Sequence, residues 1–118
     1  MFCTAAPAQV TPMETGRSLL GKCRAALTGM EGRGGNVQDV VDAGICVGYL
    51  QATADAGITE SGAPDSRPAA SRFCIPSSIG REELVRTVVR RLESDPGVLD
   101  GNASELVHAV YVDSYPCN

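Results

Sequence analysis

The chain has no tryptophan, only two phenylalanines and three tyrosines among its 118 residues, a single histidine, and a single lysine, Lys22. So few aromatic rings argue against a base-stacking surface for single-stranded nucleic acid. Ten basic residues against fourteen acidic ones give a net charge of −4, the wrong sign for a protein that grips phosphate backbones. No apolar run approaches the ~20 residues a membrane-spanning helix needs. There is no Cys-x-x-Cys pair, so neither a zinc ribbon nor a thioredoxin-like redox pair is encoded locally. The lone His108 rules out a His-paired metal motif and leaves little material for a Ser-His-Asp site. No metal, cofactor, nucleic acid or membrane is expected, and no catalytic set.

What the chain does have is 43% apolar residues, enough for the core of one domain and too little length for a second. It also has five cysteines, at 3, 23, 46, 74 and 117. Spacing this wide reads as disulfides in an oxidising compartment, ahead of buried free thiols or a bound metal. The first eight residues, MFCTAAPA, end in the A-x-A pattern of a signal-peptidase site but lack a basic n-region and a long apolar stretch. Residues 1–14 therefore read as the remnant of a signal peptide or as a disordered N-terminus, with a single helical domain over 15–118. Removal of a signal would take Cys3 with it and leave an even four cysteines.

Hydrophobic periodicity places four helices and no strand, an all-α bundle. Over residues 15–28, Leu19, Leu20, Cys23, Ala26 and Leu27 form one stripe, and the glycine-rich stretch 29–35 breaks it. Asn36 is a good N-cap for a second helix whose Val37, Val40, Val41, Gly44, Ile45, Gly48, Tyr49, Ala52 and Ala56 recur at three- and four-residue steps. Gly44 and Gly48 on that stripe would let another helix approach closely. Leu84, Val85, Val88, Val89 and Leu92 make a third stripe over 81–94, ended by Asp95-Pro96-Gly97. Asn102 caps the last helix, with Ala103, Leu106, Val107 and Val110 inward.

Between the second and third helices, residues 57–79 are rich in Gly, Pro, Ser and Asp and have no period, which predicts a loop too long to be passive. No basic residue stands between Arg33 and Arg67, whereas Asp39, Asp42, Asp55, Glu60 and Asp65 all do. An acidic loop tethered near its far end by Cys74 suits recognition of a basic partner surface. The candidate partner-binding residues are Glu60, Ser61, Asp65, Ser66 and Arg67; a merely solvated loop is the alternative.

Other features read more plainly. The Gly32-Arg33-Gly34-Gly35 turn lacks the preceding strand and the Gly-Lys-Ser/Thr ending of a P-loop. Asn102-Ala103-Ser104 matches a glycosylation sequon but is first a helix cap. Arg86, Arg90 and Arg91 have Glu82, Glu83 and Glu93 within a turn, the pattern of a salt-laced solvated face. His108 sits at the edge of the last stripe and reads as a packing or surface residue.

Taken in order, Leu19-Leu20-x-x-Cys23, Cys46-x-Gly48-Tyr49-Leu50 with Asp55, Phe73-Cys74-x-Pro76, Leu92-x-x-x-Pro96 and Tyr115-Pro116-Cys117 resemble the resistance-associated, or Tai, family. These are small periplasmic immunity proteins that neutralise type VI secreted peptidoglycan amidases. The resemblance implies an all-α domain with intrachain disulfides, usually a homodimer, that plugs the active-site groove of a cysteine amidase. The chain departs from the pattern in its glycine-rich first linker and its long, Pro-bearing second loop. A small periplasmic chaperone or scaffold without a toxin partner is the runner-up. Of the three connectivities open to four cysteines, the expected one joins Cys46 to Cys74 and Cys23 to Cys117, folding the long loop back along the second helix.

Overall fold

The computed structural model describes residues 11–61 and 69–117. Four α-helices carry the fold: α1 over Gly16–Met30, α2 over Val37–Ser61, α3 over Arg81–Glu93 and α4 over Ala103–Ser114, with short 3-10 turns at Ala69–Ser71 and Pro96–Val98. Among the described residues there is no strand, only two isolated bridges, Thr15 with Asn102 and Phe73 with Pro116.

Local chemistry sets the helix ends. Thr15 accepts a hydrogen bond from the Ser18 amide at 3.1 Å to open α1. At its other end Gly32, at φ 76°, takes the left-handed position that glycine alone occupies without strain. There the Arg33 amide donates to the Thr28 carbonyl and the Gly32 amide to Gly29, a Schellman closure. Asn36 and Asp39 cap α2 reciprocally, each side chain accepting from the other's backbone amide at 2.9 and 3.2 Å. Asn102 opens α4 by accepting from the Ser104 and Glu105 amides at 2.8 and 3.3 Å.

The core gathers the stripes of α1, α3 and α4: Leu19, Leu20, Cys23 and Ala26; Leu84, Val85, Val88, Val89 and Leu92; and Ala103, Val107, Val110 and Tyr111. Among the described side chains of α2, Cys46 and Leu50 join them, with Ala43, Val47, Tyr49 and Ala54 half-buried against the core. Apart from Tyr49, the stripe expected to face inward from α2 faces solvent instead. Val37, Val40, Val41 and Ile45 are 81, 69, 48 and 40% exposed, and a Cβ on Gly44 or Gly48 would meet nothing within 4 Å. Among the described residues nothing packs directly over those glycines. The reason is that α2 has aliphatic residues on two sides, and the side aligned with Cys46 and Leu50 is the one α1 covers.

The cysteine pairing also differs from expectation. Cys23 joins Cys46, and Cys74 joins Cys117, each with Cα atoms 5.0 Å apart. Helices α1 and α2 are neighbours in sequence and pack along their length, so two cysteines near their middles meet inside the core. Cys74 is bonded to the C-terminal segment and not to α2. A third difference lies at Gly57, expected to begin the loop: α2 runs on to Ser61, because one glycine costs a helix only about 1 kcal/mol.

The segment before α1 is held as well. The Ala103 amide donates to the Glu14 carbonyl at 3.0 Å, and the Glu14 carboxylate takes Lys22 Nζ at 2.7 Å and the Ser18 hydroxyl. Of the exposed charges on α3, Arg86 pairs with Glu82 at 2.6 Å as the sequence pattern suggests, whereas Arg91 reaches across to Asp113 of α4 at 2.7 Å.

Candidate partner-binding surface

The expected partner loop falls in sequence between the end of α2 and the 3-10 turn of Ala69–Ser71. Glu60 and Ser61 are the last residues of α2, while Asp65, Ser66 and Arg67 lie outside the described residues. What the structure shows is how both ends of this stretch are held.

The returning chain is anchored by Phe73, which is 5% exposed. Its ring meets His108 edge-on, centroids 5.3 Å apart, and lies 5.0 Å from the Tyr111 ring. On its third side it sits on Gly57 of α2. A Cβ at Gly57 would stand 2.0 Å from Phe73 Cζ, a clash with the tip of the ring, so the glycine is there for space. His108 Nε2 makes a hydrogen bond of 2.8 Å with the Ser71 carbonyl, and the Cys74 amide donates to the Tyr115 carbonyl at 2.7 Å beside the Cys74–Cys117 bond. Tyr111 is fully buried and donates its hydroxyl to the Leu50 carbonyl at 2.9 Å, tying α4 to α2 under the same ring. Burial, with a smaller effect from Tyr115, pushes the Tyr111 phenol well above its ordinary pKa, so it stays a neutral donor.

Two clefts flank this anchor. One, of about 420 Å³, lies between α2 and α4 and is lined by Tyr49, Thr53, Ala56, Ser104, Glu105 and His108. Desolvation and the nearby Glu14 charge raise the Tyr49 pKa, partly offset by a hydrogen bond with the Ser104 backbone. The other, of about 690 Å³, opens between α2 and the 73–80 segment, with Gln51, Asp55, Ile75, Pro76, Ile79 and Arg81 around it. Among the described residues no group of three His, Cys, Asp or Glu side chains is placed to hold a metal. His108, the one imidazole, is occupied in packing Phe73 and holding the Ser71 carbonyl.

A family model of Rap1a immunity proteins matches residues 15–117, a span that holds all four helices and both disulfides. The chain belongs to the Rap1a immunity protein family. Membership implies that it works by binding an effector protein. No curated protein and no solved structure matches it. The residues that the resemblance rested on have structural roles within the matched span: Cys23 and Cys46 bridge α1 to α2, Phe73 and Cys74 form the clamp, and Tyr115 and Cys117 receive it. Sequence reasoning missed the partners of Phe73. The available signal was Gly57, a glycine within reach of a helical pattern and a residue that leaves room for the tip of an aromatic ring.

Proposed function

We propose that this protein is a periplasmic immunity protein that binds and inhibits a type VI secreted peptidoglycan amidase, acts as a homodimer, and has no enzymatic activity of its own. The amidase target is supported by the ordered motifs from Leu19 to Cys117, and the periplasm by the two disulfides, since such bonds persist in oxidising compartments. The observation that carries the binding mode is the clamp. Gly57 and Phe73 touch, so the acidic stretch between them begins and ends on one rigid platform formed by α2 and α4. A loop held at both ends loses less conformational entropy on docking than a free one. Glu60 and Asp65 meet basic groups on the rim of the amidase groove, with Ser61, Ser66 and Arg67 beside them.

Rim charges govern association and its salt dependence, whereas residues inside a groove govern dissociation. Glu60→Lys combined with Asp65→Lys should therefore slow association and flatten its salt dependence. Deleting residues 61–68 should remove most of the affinity and leave the domain folded. Surface plasmon resonance against the cognate amidase, beside thermal melting, measures both. Full affinity in the deleted variant would refute the loop as the recognition element. His108→Ala should change neutralisation by no more than a few-fold.

A further inference from the structure

Charge is divided unequally between the helices. α1 and α3 hold seven lysine and arginine residues, whereas α2 and α4 hold none and carry six acids. The 420 Å³ cleft between α2 and α4 is therefore walled by the two helices that lack such a cation. Its α2 side is low and apolar: Ala52, Ala56 and Gly57 line it, and Thr53 turns its hydroxyl back to the Tyr49 carbonyl at 2.9 Å. Half-buried Tyr49 and, from α4, Glu105 complete the lining used here. Of the other acids on these helices, Asp39 closes the α2 cap and Asp113 takes Arg91. The one lysine, Lys22, is already held by Glu14. Glu105 is exposed and joins no ion pair among the described residues.

We infer that this cleft seats an arginine side chain of the effector, its guanidinium on the Glu105 carboxylate and its stem along Ala52 and Ala56. A long basic side chain is apolar along its stem and charged at its tip, so it matches a cleft with a bare apolar side and a carboxylate at the rim. A guanidinium also stacks on an aromatic face and meets a carboxylate through two parallel N–H donors, which an ammonium does not. Tyr49 supplies the ring. Covered by the effector, the pair is screened less than an exposed one and counts for more. The position suits the loop as well. Gly57 and His108 line the cleft and also touch Phe73, so an effector that engages the stretch after Gly57 comes within reach of Glu105. The inference rests on the effector-binding reading proposed above and adds to it a contact on the helices, beside the loop.

The test is surface plasmon resonance of the full chain against the cognate amidase, with circular dichroism melting to show that each variant is folded. Glu105→Gln keeps the shape and removes the charge, and should speed dissociation about 10-fold. Ala52→Leu narrows the cleft at an exposed helical position without touching a charge, and should weaken binding alike. Glu83→Gln, an exposed acid on α3, should leave dissociation unchanged. The chemistry of the occupant is read from a charge swap. Among single Arg→Glu variants of the amidase, one that has lost binding to the wild type should regain it with Glu105→Arg. Wild-type dissociation rates in both Glu105→Gln and Ala52→Leu would overturn the cleft and leave the functional reading standing, as would a swap that no amidase variant rescues. A wild-type chain that binds no amidase would overturn that reading and the cleft with it.

Discussion

The two disulfides stand in opposite surroundings. Cys23 and Cys46 are completely buried, each on a helix that packs against the other. Cys74 is exposed, on a segment with no helix of its own, and Cys117 follows the last turn of α4. By loop closure alone the second bond stabilises more, about 4 kcal/mol for its separation of 43 residues against about 3 for the 23 residues of the first. Packing reverses the order, because only the first pair fills core volume. One cross-link reinforces a contact that apolar burial already makes; the other supplements the sparse burial of the 72–80 segment, which comes from Phe73 and in part from Ile75 and Ile79.

The sharpest test removes the buried pair. Cys23→Ala with Cys46→Ala should lose the closure term and the packing of two core side chains, about 4–5 kcal/mol together, which is most of the stability of a small domain. Guanidinium denaturation measures it, and a loss below about 2 kcal/mol would mean that α1 and α2 need no staple. Cys74→Ser with Cys117→Ser should cost slightly less, about 3–4 kcal/mol. The two bonds should also open in order. Under graded dithiothreitol, alkylation and mass spectrometry should find Cys74 and Cys117 modified first, since a thiolate must reach sulfur to attack it. Earlier opening of Cys23–Cys46 would break the comparison.

Within α2, the same substitution at two glycines separates the buried side from the open one. Gly57→Ala puts a methyl into the tip of the Phe73 ring and should destabilise by about 2 kcal/mol, even though alanine is the better helix residue. Gly48→Ala meets open space and should stabilise the monomer by up to about 1 kcal/mol. Equal effects in urea unfolding at monomeric concentration would mean that Phe73 does not rest on Gly57.

The smallest expected effect concerns Tyr111, which links the clamp to the core. Tyr111→Phe gives up one hydrogen bond to Leu50, worth about 1 kcal/mol. Its pH signature is more telling. In the unfolded chain this phenol ionises near 10.0, whereas in the folded protein burial keeps it protonated beyond that pH. Above pH 10 the unfolded state therefore holds fewer protons than the folded one, so stability is complete below that pH and falls as the pH rises. Tyr111→Phe should flatten this alkaline decline, read from melting temperatures between pH 8 and 11.

How much of this was legible beforehand depends on how far apart the interacting residues lie. The four helices, the Thr15, Asn36 and Asn102 ends, and the inward stripes of α1, α3 and α4 follow from residues within one or two turns of each other, where the sequence itself places them side by side. The family resemblance and the tether at Cys74 were equally readable, because short motifs in order survive without knowledge of the fold. The candidate loop was visible as composition, but its clamp was not: Phe73 finds Gly57, His108 and Tyr111 across 16, 35 and 38 positions, and no local pattern announces such a contact. The cysteine pairing was misjudged for the same reason. Four cysteines allow three pairings, and which one forms is set by which helices lie together. The direction of α2 shows the limit most clearly. Its sequence offers aliphatic residues on two faces, either of which would serve as a core stripe. Only the packing of α1 over Cys46 and Leu50 chose one face for burial and left the other, from Val37 to Ala52, in solvent, because burial is a property of neighbours and a helix cannot choose its neighbours alone.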